Sequence, residues 1–134
     1  MIVVDANTLA YYHLDSEFSE IALDAFQRDP HWIAPLLWRS EFQNILAGYL
    51  RRNLISLSKA KRIVDEALRM MEESEFKAPA HKVLELITSS TCSSYDCEYV
   101  ALAKQFNIPL LTKDKRVLSQ FPDTAIKLED FIAS

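Results

Sequence analysis

Short apolar runs alternate with longer stretches of helical spacing along the 134 residues of this chain. The runs that we predict as strands span residues 2–4, 32–34, 75–78, 109–112 and 125–127. We predict helices over residues 16–28, 37–52, 80–89 and 93–106, a further helix capped by Ser58, and a terminal helix containing Leu128, Phe131 and Ile132. This alternation predicts an α/β fold, a parallel sheet with helices on both faces.

The composition is ordinary for a globular protein, with 49% apolar and 25% charged residues. We expect one domain spanning residues 1–134. The longest apolar stretch, residues 33–38, is too short to cross a membrane. Because Cys92 and Cys97 match no zinc or redox spacing and the chain opens without a basic leader, we expect a cytoplasmic protein.

The formal net charge of −4 argues against a protein that coats nucleic acid nonspecifically. It leaves a nuclease open, because local bases can still contact phosphates. The candidates for such contacts are Arg39, Lys113, Lys115 and Arg116. For any one of them, a solvated surface residue is the simpler interpretation.

Four acidic residues, far apart in the chain, are predicted to meet at one edge of the sheet. Asp5 directly follows the first strand, and Asp114 lies two residues beyond the strand that ends at Thr112. Asp96 falls in the first turn of a helix, and Glu41 borders the apolar face of another. In parallel sheets the binding crevice lies beyond the carboxyl ends of the strands.

Carboxylates gathered in this way repel one another unless a cation neutralises them. Carboxylate oxygens and water suit Mg²⁺ or Mn²⁺, while substrate phosphate supplies further ligands. The sequence therefore predicts metal-dependent phosphodiester chemistry. Each acid also has a simpler interpretation: Asp5 as a cap, Asp96 as a helix N-terminal acid and Asp114 as a turn residue. Glu41 is the hardest of the four to explain by a simpler interpretation, because its neighbours on that helix face should be buried.

In size and layout the chain resembles the PIN-domain ribonucleases, in particular the VapC-type toxins of toxin–antitoxin pairs. The resemblance covers nearly the whole chain and is carried by four segments in order, residues 3–7, 41–46, 95–103 and 111–114. It implies a Rossmann-like sheet with a catalytic Mg²⁺ or Mn²⁺ site at Asp5, Glu41, Asp96 and Asp114. The metal would polarise the scissile phosphate and activate a bound water.

The same resemblance implies that Asn7 and Thr112 orient a carboxylate or a water. It also implies an RNA substrate, a homodimer and an antitoxin partner. Such a partner would bind the helices at 37–52 and 58–73 and present a basic side chain to the acidic pocket.

The chain departs from the family pattern at two places. Lys115 and Arg116 follow Asp114, where some members carry a further acid. One resident metal, with a second arriving alongside RNA, is therefore the expectation. Asn107 stands where a glycine is common, and Asn adopts the left-handed conformation at little cost.

Three other interpretations stay open at this level. Residues 5–8 resemble the D-x-D-x-T opening of haloacid-dehalogenase phosphatases with one substitution, although Asn7 cannot deliver the proton that this chemistry needs. A stand-alone PIN nuclease in RNA processing would carry the same acids as a toxin. The third interpretation is an inactive interaction module, and the retention of all four acids argues against it.

Overall fold

The computed structural model describes residues 1–134 as five parallel strands and eight helices. The strands are β1 (Ile2–Val4), β2 (Trp32–Pro35), β3 (Glu75–Phe76), β4 (Leu110–Leu111) and β5 (Ala125–Ile126). The helices are α1 (Ala6–His13), α2 (Ser19–Arg28), α3 (Trp38–Arg51), α4 (Leu57–Met70), α5 (Ala80–Thr88), α6 (Ser94–Phe106), α7 (Lys115–Gln120) and α8 (Leu128–Ala133). The predicted α/β fold class is confirmed.

The sheet has the order β3-β2-β1-β4-β5, so β1 lies at its centre. Val3 stands opposite Ile33 on one side and Leu110 on the other. Every residue of β1 is buried, which is expected of a parallel strand covered by helices on both faces. Helix α6 packs against β1, β2 and β4 and supplies six of its own residues to the core.

This strand order places a topological switch at β1. The chain passes from β1 to β2 and β3 on one side of the sheet and then returns to β4 and β5 on the other. In open parallel sheets the binding crevice forms where the order reverses, beyond the carboxyl ends of the strands. Asp5 and Thr112 immediately follow the two strands that meet there, β1 and β4.

Several predicted helix boundaries are confirmed. Ser93 caps α6, because its hydroxyl accepts from the Asp96 backbone N–H at 3.1 Å. Asn107 ends the same helix in the left-handed conformation, with φ 54° and ψ 48°.

None of the eight helices combines the length and the apolar character that a membrane span requires.

Other sequence predictions were wrong in detail. The N-cap of α4 is Ser56, whose hydroxyl accepts from the Lys59 N–H at 3.1 Å, and not Ser58. Helix α2 begins at Ser19, three residues later than predicted. Two helices, α1 and α7, were not predicted at all, and both begin immediately after one of the four acids.

Candidate metal and nuclease site

The four predicted acids line a single cavity of about 600 Å³ at the carboxyl edge of the sheet. They come from four segments that are distant in sequence: Asp5, Glu41, Asp96 and Asp114. The predicted orienting residues Asn7 and Thr112 line the same cavity. Its volume lies within the range of small-ligand sites.

Each acid stands at the beginning of a helix. Asp5 caps α1 by accepting from the Thr8 N–H at 2.8 Å, and Asp114 caps α7 by accepting from the Val117 N–H at 2.9 Å. Asp96 lies in the first turn of α6, and Glu41 in the first turn of α3. The positive ends of four helix dipoles therefore face the cavity and partly offset its negative charge.

Two threonines fix the orientation of the Asp5 carboxylate. Thr112 donates its hydroxyl to Oδ2 at 2.6 Å, and Thr8 donates its hydroxyl to Oδ1 at 2.7 Å. The Thr112 hydroxyl in turn accepts from the backbone N–H of Asp114 at 3.0 Å. Thr112 thus links the carboxylate after β1 to the loop after β4, which suits the orienting role predicted for it.

Glu41 is held by a tyrosine from a different helix. The Tyr99 hydroxyl on α6 donates to Oε1 of Glu41 at 2.6 Å. Tyr99 is only 3% exposed. Burial, and then this contact with Glu41, raise the pKa of Tyr99 far above its ordinary value, so the hydroxyl remains a donor.

The start of α3, and with it Glu41, is anchored to the edge of the sheet by Glu75 of β3. Glu75 accepts from Nε1 of buried Trp38 at 2.7 Å and forms a two-pronged ion pair with Arg39, at 2.6 and 2.7 Å. The α3 N-terminus has no side-chain cap of its own, so these contacts fix where the helix begins.

Burial and mutual repulsion raise the pKa values of three of the acids. For Asp5 the main cause is burial, opposed by hydrogen bonds from Thr112 and Thr8, with a further upward contribution from Asp114. Burial also leads for Glu41, where Asp5 and Asp96 add to the effect. Burial and then Asp114 raise the pKa of Asp96. A cation in the cavity would favour the charged form of each acid and so lower all three pKa values.

The donor set matches a hard divalent ion, although the side chains do not form a closed cage. No group of three or more His, Cys, Asp or Glu side chains lies close enough together to hold a metal ion. Mg²⁺ rarely needs such a cage, because it keeps several waters and binds through one or two carboxylates with substrate phosphates. The four-carboxylate metal site therefore stays a prediction, with a donor chemistry that fits.

The four predicted phosphate-binding bases are placed differently from one another. Arg39 is paired with Glu75, and Lys113 is paired with Glu129. Lys115 and Arg116 are exposed in the first turn of α7, directly after Asp114. Their contact with RNA stays a prediction; Lys115 and Arg116 form no salt bridge, although Arg116 lies near enough to Asp96 to oppose the rise in the pKa of that acid.

Sequence reasoning missed several residues in this cavity or bonded to its acids. Thr8, which bonds Asp5 but does not line the cavity, had a readable signal, since an aspartate that caps a helix accepts from the backbone N–H two or three residues further along. Tyr99 had none, because its partner Glu41 lies 58 residues away in sequence. The cavity is also lined by Ser40, Asn44 and Tyr95, whose positions depend on how α3 and α6 are set against each other.

The protein is a parallel α/β sheet with a carboxylate-lined cavity at its switch point, and its sequence places the chain in a family. Residues 2–125 match the PIN domain, and the chain belongs to that family. Over 131 residues it is 31% identical to Ribonuclease VapC3 from Pyrobaculum aerophilum, covering 90% of this chain and 95% of that protein. The resemblance inferred from the four motif segments is confirmed.

Solved structures share the fold at lower sequence identity. PAE2754 from Pyrobaculum aerophilum superposes with a TM-score of 0.76 at 20% identity, over 98% of this chain and 93% of that one. A toxin–antitoxin complex from Klebsiella pneumoniae gives a TM-score of 0.68 at 14% identity, over 96% and 98% of the two chains. These similarities establish the fold.

Proposed function

We propose that this protein is an endoribonuclease that depends on Mg²⁺ or Mn²⁺ and is the toxin of a type II toxin–antitoxin pair. The observation that carries the proposal is the single cavity in which Asp5, Glu41, Asp96 and Asp114 meet at the switch point of the sheet. Membership of the PIN family and the similarity to a VapC ribonuclease support a nuclease. VapC ribonucleases with a PIN domain generally depend on divalent metals.

In this proposal the four carboxylates hold the metal, directly or through water. When bound, the ion supplies electrostatic stabilisation of the phosphate and lowers the pKa of a water. Thr8 and Thr112 hold Asp5 in one orientation, and Tyr99 does the same for Glu41. Lys115 and Arg116 are available beside Asp114 to bind phosphates of the RNA backbone.

The toxin role rests on the relatives more than on the cavity. The fold is shared with a chain in a toxin–antitoxin complex, which supports an antitoxin as partner. The similarity to a VapC ribonuclease supports the cytoplasm as location. A homodimer is part of the same proposal. The phosphatase alternative loses its support, since the family match is to PIN and Asn7 occupies the position where that chemistry needs an acid.

The nuclease proposal is tested by incubating the purified protein with a mixed cellular RNA pool and Mg²⁺. We expect cleavage that a chelator stops and Mn²⁺ restores. Asp96→Asn should abolish cleavage, because it removes a charged cavity oxygen while keeping the shape of the side chain.

The matched control is Glu98→Gln, two residues further along α6. Glu98 is also partly buried and its charge also acts on Glu41, but it does not line the cavity. The Glu98→Gln variant should cut RNA at a rate close to wild type. Cleavage that persists in chelator, or equal loss in both variants, would contradict a carboxylate-bound metal. Release of phosphate from a small phosphomonoester would favour the phosphatase instead.

The toxin role needs a separate measurement in cells. Induced wild-type protein should arrest growth, Asp96→Asn should not, and co-expression of a small protein encoded beside this gene should relieve the arrest. An active nuclease that leaves growth unaffected would instead favour the stand-alone RNA-processing enzyme.

A further inference from the structure

Tyr95 is an exposed aromatic side chain at the acidic cavity. It lies in the first turn of α6, immediately before Asp96, and is 58% exposed. The other exposed large apolar side chains are Met1, Leu23, Leu36, Leu54, Leu57 and Leu84, and none of these lines the cavity. Tyr95 is therefore the one large exposed apolar group next to the predicted reaction centre.

The Tyr95 ring has no internal task. It pairs with no other aromatic ring, and its hydroxyl makes no hydrogen bond, whereas Tyr99 on the same helix is buried against Glu41. The two tryptophans, which would be stronger stacking groups, are 2% and 0% exposed and so are closed to a ligand. A flat face left open to the cavity is available to stack on another flat group.

The rest of the cavity lining suits a nucleotide. The carboxylates and neighbouring polar side chains provide the polar part of the wall, while Leu37, directly before α3, and Ile45 of α3 provide an apolar part. A volume of about 600 Å³ leaves space beyond the acids themselves. Phosphate chemistry at the carboxylates therefore has a surface beside it that can accept a base.

We propose that Tyr95 is a stacking platform for a base of the RNA, which positions the adjoining phosphodiester at the four acids. The proposal rests on the proposed function and deepens it by assigning a residue to substrate positioning. Because every base has a π-face, such a contact binds without strong sequence preference. The occupant is RNA, because an open aromatic face beside groups suited to phosphate chemistry matches the base and the phosphate of one nucleotide, and contact of the ring with the antitoxin is an outcome of the test.

The test measures binding of a mixed-sequence single-stranded RNA oligonucleotide, with Ca²⁺ replacing Mg²⁺ to hold back cleavage. Tyr95→Ala should weaken binding by about 5- to 150-fold, the range for loss of one stacked base. Tyr95→Phe keeps the ring and should bind within about twofold of wild type. Leu84→Ala, on α5, truncates an equally exposed side chain, 61% exposed, and should leave binding unchanged.

An oligomer of the same length with abasic residues isolates the stacking contribution. Wild type and Tyr95→Ala should bind it equally, because there is no base for the ring to contact. In cleavage assays with Mg²⁺, Tyr95→Ala should raise KM much more than it lowers kcat, since stacking acts on bound substrate and transition state alike.

Two outcomes would overturn the assignment. The first is RNA binding by Tyr95→Ala equal to wild type, and if capture of the antitoxin is weakened at the same time, Tyr95 is a protein contact. The second is an equal loss of binding on the abasic oligomer. In each of these the wild type still cuts RNA, whereas a wild type that neither binds nor cuts RNA would refute the proposed function itself.

Discussion

Removing a single oxygen, in Tyr99→Phe, should weaken metal binding without disturbing the fold. The hydroxyl donates to Oε1 of Glu41 at 2.6 Å and is otherwise enclosed, since Tyr99 is 3% exposed. Phenylalanine keeps the ring that packs in the core. The variant therefore removes the support of one carboxylate, together with a weaker contact between the hydroxyl and the Ala6 backbone.

Two independent estimates of the size of this effect agree. A hydrogen bond to a charged group contributes about 1.5–3 kcal/mol. Loss of a partner that orients a metal ligand typically lowers metal affinity or activity by about 10- to 100-fold, which corresponds to about 1.4–2.7 kcal/mol. The direction follows from the electrostatics, because burial already raises the pKa of Glu41 and the Tyr99 hydrogen bond opposes that rise.

The assay is calorimetric titration of the metal-free protein with Mn²⁺, alongside the Mg²⁺ concentration that gives half-maximal RNA cleavage. Both should shift by about 10- to 100-fold in Tyr99→Phe. Tyr49→Phe is the control, because Tyr49 lies on α3, partly buried against Arg52, and its hydroxyl makes no bond to Glu41. Metal affinities within twofold of wild type in both variants, with a normal far-ultraviolet spectrum, would refute the reasoning.

Three further predictions concern stability. In chelator, Glu41→Gln should raise the free energy of unfolding by on the order of 1 kcal/mol in urea titrations while abolishing RNA cleavage, because it removes a partly buried charge from beside like charges. Glu75→Ala should cost about 1–3 kcal/mol at pH 7, because it leaves the buried Trp38 Nε1 without an acceptor. The hydrogen bond from Arg39 lowers the pKa of Glu75. The stability that ionised Glu75 contributes is therefore complete above its ordinary pKa of 4.5, and in the same titrations it should be lost as the pH falls below that value. Asn107→Ala should lower stability by about 1–2 kcal/mol through its left-handed backbone, and Asn107→Gly should not; equal melting temperatures for the two would contradict this.

The sequence predicted those parts of the fold that are marked by period and by capping residues. All five strands, and helices α3, α5, α6 and α8, fall where apolar runs or helical spacing place them. Helix α1 was missed because four of its eight residues are buried, so no clear polar face marks a helical period. Helix α7 has six residues and a single buried one, Val117, which is too short for a period to show.

The candidate site was predictable as a set of acids and not as a geometry. The rule that strand ends share one edge was enough to bring Asp5 and Asp114 together. The strand order and the angle between α3 and α6 are tertiary quantities, and they decide that Tyr99 reaches Glu41 and that Tyr95 faces the cavity. Long-range contacts of this kind leave no local pattern in a single sequence.

The position of the acids at helix starts explains how the fold tolerates them without neutralising the cavity. A carboxylate in the first turn of a helix gains about 0.3–1 kcal/mol from the dipole. Even so, the pKa values of Asp5, Glu41 and Asp96 are raised, so burial and mutual repulsion outweigh the hydrogen bonds that favour their charged forms. Helix ends distribute partial charges around the rim, whereas the excess negative charge lies inside the cavity. Only a positive charge placed inside that cavity neutralises it, and this is why a metal ion, or a basic side chain from a bound partner, suits this site better than any further surface lysine.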